Sequence, residues 1–481
     1  MRNLVWWRMG LLSLGFVALA PGASSQGFWD NPLKLKASVA PAPGVQWESR
    51  RPLPQITQPE FAPLPARAAA FTLAELTEYA LRNNPRARQA WAGARAAAAG
   101  VGIEQADMLP QITGLISAQR VRPVSATTGI ASETQNRYGP SVTLSYILFD
   151  FGARANQIEA AEYRLLAANL NQNRVLQDIV FQVEQAYYRL LGLDLLVRVN
   201  ELTLENLRTS LDAAQRRRES GLATAADVYR AETQVAQAQL NLTRSRGEFE
   251  KARGQLAAAV GLPVNRVLQV QTFAELPQVR QMSESVAEML DRARSARPDL
   301  VAAEAQARAA RSTARFASKA GLPSIELAGT AGRTFFTDER PAVNNYSLGV
   351  NVRIPIFDGF REKYATSQAQ ALAEQAEANR DILYRQTELD VWQAYYDVET
   401  AASSLGSTEA QVKSAEQTAQ ATLARYQAGF GSILDLITAQ QDESNARVQR
   451  IQSYLDWYTA IARLQLSTGF NDVIAAAAEK K

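Results

Sequence analysis

From residue 153 to about residue 218 the chain contains no proline and one glycine, Gly192, and from 361 to 428 the same holds apart from Gly406. Proline and glycine punctuate helices, so each run predicts a single helix of roughly 67 residues, which at 1.5 Å per residue extends about 100 Å. No compact domain has room for such an element. The two helices must lie side by side in a bundle or an α-helical tube, with the alanine-rich stretches AAEYRLLAANL and QAQALAEQAEA allowing close approach. Each run closes at a glycine, Gly221 or Gly429, and a return helix is predicted three residues later. Thr224 with Asp227, and Ser432 with Asp435, supply its cap and its first-turn acid.

The runs belong to two divergent copies of one unit, residues 85–261 and 298–469. Pro85 answers Pro298 and Pro110 answers Pro323, since 298 − 85 and 323 − 110 both give 213. After the hairpin region Asp150 answers Asp358 and Gly221 answers Gly429, an offset of 208 that holds to Gly261 and Gly469. The second copy has therefore lost residues between its two strands, where an exposed loop tolerates deletion. A period this long is not a solenoid repeat and implies one fold with internal pseudo-twofold symmetry.

Before each long run the hydrophobic period falls from 3.6 to 2. In residues 141–149, Val142, Leu144, Tyr146 and Leu148 share one face, with Thr143 and Ser145 on the other; in the second copy Leu348, Val350, Val352, Ile354 and Ile356 alternate with Ser347, Gly349, Asn351 and Arg353. Residues 112–119 and 325–330 read as weaker partner strands. A soluble, half-buried sheet would show the same alternation. Strands of about 9–11 residues also suffice to cross an outer membrane, and the amino terminus favours that setting. Residues 1–25 carry Arg2 and Arg8, an apolar run too short to span a bilayer and small residues at its exit, the pattern of a secretory signal peptide. No later segment approaches 18 consecutive apolar residues, so insertion by helices is excluded and insertion by strands is not.

The remaining organisation follows from composition. Residues 26–68 are a Pro-rich extended arm. The first repeat occupies 69–261, opening with a short helix capped by Thr72 and Glu75; a connector fills 262–297; the second repeat occupies 298–469 and a tail 470–481. With no cysteine, an exported chain must be held by packing, hydrogen bonds or assembly, and with no histidine the usual general base and the commonest metal ligand are absent. No catalytic centre and no cofactor are expected, and a net charge of only +3 with interleaved signs argues against nucleic acid.

Taken together, the twofold repeat, the Leu-Pro strand entries, the strand exits at LFDFGAR and IFDGFRE, the Tyr-Tyr pair in each long helix and the turn with Tyr426, Gly429 and Asp435 resemble the TolC-like outer-membrane efflux proteins over nearly the whole mature length. The resemblance implies a homotrimer in which each chain gives four strands to one twelve-stranded transmembrane β-barrel, continued by a long α-helical barrel across the periplasm. It implies an outer-membrane exit duct of a tripartite export system, working with a periplasmic adaptor and an inner-membrane pump of the RND, ABC or MFS type. If the hairpins lie in the membrane, residue reasoning alone requires symmetric assembly, as a dimer or a trimer, because four strands cannot close and open edges cannot face lipid; the resemblance supplies three. The competing reading is a periplasmic coiled-coil scaffold or adaptor without a barrel.

Carried over by the resemblance, the tip gate is Asp227, Tyr426 and Asp435, with a tyrosine to aspartate hydrogen bond as lock and Asp435 as a ring charge. Two positions depart from the family, Gly431 where an arginine is expected and Thr438 where a second ring acid is expected. The adaptor contact falls on Gly221, Leu222, Gly429 and Phe430, and the lipid-facing strand on Leu348, Val350, Val352 and Ile354.

Overall fold

The computed structural model describes residues 43, 46, 70–122, 124, 129, 131, 133–266, 268–271, 284–337 and 340–469. The expected signal peptide, all but two residues of the arm and the tail lie outside them. Thr72 caps α1 (Leu73–Asn83), with Glu75 returning a hydrogen bond to the cap backbone. Asn84 then caps α2 (Pro85–Ala106), whose first residue is proline, where the missing N–H costs nothing. A hairpin follows, β1 (Gln111–Val121) and β2 (Gln135–Phe149), and leads into α3 (Ala153–Glu219). α3 is 67 residues long and returns through α4 (Ala225–Val260).

The second copy repeats this order. α5 (Val286–Ala296) and α6 (Pro298–Lys319) precede β3 (Ser324–Phe336) and β4 (Val343–Arg353). α7 (Arg361–Gln427), also 67 residues, turns back into α8 (Ile433–Thr468). Helix α5 inside the connector was not expected, although Ser285 and Glu288 form a capping box that the sequence displays.

The four strands make one antiparallel sheet in the order β1-β2-β3-β4, open at both edges. Its register sorts the side chains. Ile112, Leu144, Gly329 and Leu348 lie opposite one another across the sheet, as do Tyr146, Leu327 and Val350, so one face is apolar. The alternate rung, Thr113, Thr143, Thr330 and Ser347, is a row of hydroxyls, and Glu326 beside Asn351 accepts a 2.7 Å hydrogen bond from Ser145 on that same polar face. One expectation is corrected: Ile354 and Ile356 lie past the end of β4. Pro355 between them has no N–H to give a ladder, and β3 has no residues left to pair, since it begins only after Pro323.

Below the sheet the helices run in a row, α2 on α3, α3 on α6 and α6 on α7; beyond the equator the row becomes α4, α3, α8, α7. Alanines fill the α3–α6 contact, where Ala167 packs on Ala302 and Ala305. At the equator the copies close alike. Gly261, at φ 88°, lies against Asn84 at the start of α2, and Gly469, at φ 76°, lies against Arg297 at the start of α6. Arg297 is 3% exposed. A cation so buried must be paired: Nη2 and Nε reach Asp299 at 2.6 and 3.0 Å, and Nη1 reaches Asp390 on α7 at 3.1 Å.

Beyond the equator the packing differs by seam. Within each helical hairpin it is apolar, Leu204, Leu207, Ala238 and Leu242 joining α3 to α4, and Ala401, Leu405, Tyr454 and Trp457 joining α7 to α8. Between the hairpins, on the α3–α8 seam, Thr203 meets Ser444 at 3.2 Å and Ser210 exchanges hydrogen bonds with Gln440 at 3.0 and 3.2 Å.

Candidate functional site: the helical tip

Both long helices end in the same backbone device. Leu222 N–H donates to Arg217 O at 2.8 Å and Gly221 N–H to Arg218 O at 2.9 Å; in the second copy Phe430 N–H donates to Arg425 O at 2.9 Å and Gly429 N–H to Tyr426 O at 3.1 Å. This closure needs a left-handed residue after the cap, and Gly221 and Gly429 supply it at φ 71° and 87°. It also throws the next residue outward. Leu222 is 69% exposed and Phe430 81% exposed.

The return helices start on capping boxes. Asp227 Oδ2 accepts from Thr224 N–H at 2.9 Å and from Thr224 Oγ1 at 2.8 Å, and these hydrogen bonds hold the Asp227 carboxyl below the usual carboxylate range. Arg230 and Arg217 add their positive charge to the same effect. Ser432 and Asp435 repeat the box, Asp435 N–H donating to Ser432 Oγ at 3.1 Å, and Asp435 is exposed.

Tyr426 sits inside an apolar clasp with Ala214, Val228, Ala231, Ile433, Leu436 and Ile437, drawn from all four helices. It is 3% exposed, and its hydroxyl has no hydrogen-bond partner among the described residues. The expected bond to Asp227 is thus not made within one chain. The two groups are near neighbours all the same: burial pushes the Tyr426 phenol up, the Arg217 charge opposes that, and the Asp227 charge adds to it.

Arg217 was not singled out from sequence. It lies in a run of three arginines, of which Arg216 pairs with Asp212 at 2.9 Å and Arg218 is exposed. Arg217 alone turns toward the other hairpin. Its Nη1 donates to the Tyr426 carbonyl at 2.5 Å and its guanidinium lies 4.8 Å from the Tyr426 ring centroid. A signal was present: Thr203, Ser210 and Arg217 recur at intervals of seven, one stripe of α3 that carries only polar groups.

At the other end, Leu348, Val350 and Val352 occupy the apolar face of β4 and are exposed, as is Ile354 beyond it. Where the sheet meets the helices, Phe149 and Phe151 pack edge to face at 4.8 Å and Phe357 and Phe360 at 5.5 Å, all four exposed. Asp150 fixes the first of these turns by accepting from Gly152 N–H and Arg154 N–H, each at 3.0 Å, and Asp358 fixes the second by accepting from Glu362 N–H at 2.9 Å.

Residues 76–262 and 289–470 match the family described as outer membrane efflux protein. The chain is similar to protein CyaE of Bordetella pertussis, 29% identical over 417 residues that cover 85% of this chain and 84% of that one. It is also similar to the outer membrane efflux protein BepC of Brucella suis, 24% identical over 404 residues, 84% of this chain and 86% of the other. Among solved structures it shares the fold of the outer-membrane channel OprN, with a TM-score of 0.75 and 23% identity over 83% of this chain and 90% of that one.

Proposed function

The chain belongs to the outer membrane efflux protein family, and we propose that its two ends divide the work of an export duct, the sheet lying in lipid and the helical tip closing and docking. The protein is an outer-membrane exit duct of a tripartite export system, a passive channel rather than an enzyme. It acts as a trimer, four strands from each chain making a twelve-stranded barrel over a helical tunnel, with an adaptor and an inner-membrane pump as partners. That assignment removes the scaffold alternative.

The observation that carries the membrane reading is the two-faced sheet, apolar on one side through all four strands, hydroxyl-lined on the other, and open at both edges. In lipid such edges must be paired, and symmetry pairs β4 of one copy with β1 of the next. The apolar face, with Leu348, Val350 and Val352, then meets hydrocarbon and the hydroxyl rungs line water. The exposed phenylalanines at the base of the sheet fall at the headgroup level, where aromatic side chains are favoured. At the tip, the burial of Tyr426 between the hairpins, with Asp227 beside it, supports a gate there, Asp435 offering its exposed charge to the aperture. Exposed Leu222 and Phe430, each held out by a rigid glycine turn, support adaptor docking at the same end.

Two substitutions at neighbouring positions test the lipid face. Leu348→Arg, at the middle of β4, should cost about 2–4 kcal/mol and reduce the yield of heat-resistant trimer, whereas Ser347→Arg, on the polar face, should leave it near wild type. Equal yields would reject the assignment of faces.

A further inference from the structure

We propose that Arg217 is the latch that holds the two helical hairpins of one protomer together at the tip. The inference rests on the gate reading above for its consequence in transport, and on geometry alone for the latch itself.

Three features single out this side chain. First, Arg217 brings a charge to a seam whose other contacts beyond the equator are neutral among the described residues. Tyr188 stacks on Tyr458 at 4.3 Å on the α3–α8 seam near the equator; toward the tip that seam carries hydroxyl and amide contacts, Thr203 with Ser444 and Ser210 with Gln440, while the apolar clusters Leu204–Leu207 and Leu405–Trp457 lie inside the separate hairpins. Neutral hydrogen bonds of that kind contribute less net stability than one to a charged group. The hairpins are each cohesive, and at the tip their mutual position rests on the apolar clasp around Tyr426 and on Arg217 beside it.

Second, Arg217 makes there the contacts of a helix cap supplied from another helix. The Tyr426 carbonyl is one of the last of α7, where the helix dipole is negative; it accepts Gly429 N–H within the turn and has a second lone pair to offer. Arg217 Nη1 donates to it at 2.5 Å, and the guanidinium lies against the Tyr426 ring at 4.8 Å from its centroid. One side chain thus engages both the backbone and the ring of the residue at the centre of the apolar clasp.

Third, among the described residues no other cation reaches the Tyr426 carbonyl. The position two residues beyond Gly429 is Gly431, and a Cβ there would already lie 3.1 Å from Tyr426 N, so a longer side chain has no room without shifting the turn. Arg425, at the place in the second copy that answers Arg217, is exposed rather than turned inward. Arg217 Nε is buried without a hydrogen-bond partner among the described residues, as is the Tyr426 hydroxyl. Leaving two such donors unpaired is costly. The cost is offset only while the charge-assisted and cation–π contacts persist, which makes the latched state responsive to small displacements of either hairpin.

The test uses the full-length trimer in mild detergent and in planar bilayers. The chain has no cysteine, so spin labels on Thr209→Cys of α3 and Gln420→Cys of α7, both exposed, report the separation of the hairpins without a background. Arg217→Gln should lengthen or broaden that distance, and should raise the ratio of open to closed channel about tenfold or more, the factor expected from one lost charge-assisted hydrogen bond. Arg217→Lys keeps the charge within reach of the carbonyl and should restore part of both effects; Arg216→Gln, which breaks only the pair with Asp212, should change neither. An unchanged label distance in Arg217→Gln, with the heat-resistant trimer intact, overturns the latch whatever the conductance does. A lengthened distance with unchanged conductance keeps the latch and rejects the gate.

Discussion

Glu184 shows what burial alone does to one side chain. It is buried on α3 beside the Tyr187 and Tyr188 pair, and desolvation pushes its carboxyl up to about 7. Its negative charge in turn pushes the Tyr188 phenol up. The sign of the linkage follows: with the folded value above the unfolded one, the native state holds the proton longer. Stability is therefore unaffected at low pH, falls as pH rises through the unfolded carboxylate range, and reaches its full loss above about 7. The loss approaches about 3 kcal/mol per protomer. Glu184→Gln removes it, so the thermal dissociation temperature of the trimer should exceed wild type at pH 8 and converge with it near pH 4. A gap independent of pH would show that Glu184 is not held neutral. At this scale the sequence disclosed some roles and hid others. Asp227 and Asp435 were legible as first-turn acids because a cap depends on neighbours three residues away. The inward turn of Arg217 depends on a helix 209 residues further along, and within a run of three arginines only its place in the seven-residue stripe distinguishes it.

The elements were the most legible part of the chain, because their limits are set by residues with strong local preferences. Both 67-residue helices run to the turn glycines that end the proline-free runs, and the return helices begin on the residues after Thr224 and Ser432. The end of β4 was less legible, since the alternation of Ile354 and Ile356 continues past the point where Pro355 and the lack of a partner stop the ladder. The turn that closes α7 yields an element-scale prediction. Gly429 donates to Tyr426 O and sits at φ 87°, whereas proline has no N–H and fixes φ near −65°. Gly429→Pro should therefore misplace Phe430 and disturb the clasp at Tyr426, while the sheet at the opposite end of α7 still assembles. The expected result is a normal heat-resistant trimer with export strongly reduced in cells. Full export in that variant would remove the turn from the docking surface.

In the whole molecule, one seam runs the length of each protomer. The sheet ends at β1 on one side and β4 on the other; the helical row continues those edges as α2 above the equator and α4 below it, against α7 throughout. Closing a ring of three therefore brings one edge of every layer against the opposite edge of its neighbour, and the same rotation must satisfy strand pairing and helix packing together. Exposed apolar side chains mark where this falls. Ile103 on α2 and Tyr364 on α7 are each three residues from the sheet end of their helices and both are exposed, while α3 and α6 stand between them within one chain. They should meet only across the seam. Cysteines at both positions, in a chain that has none, should on oxidation link three protomers into a covalent trimer on denaturing gels, and either cysteine alone should give no ladder. If the double variant stays monomeric on the gel while the native trimer forms, the edges meet in another register, and the β4 to β1 closure proposed for the barrel would have to be redrawn with it.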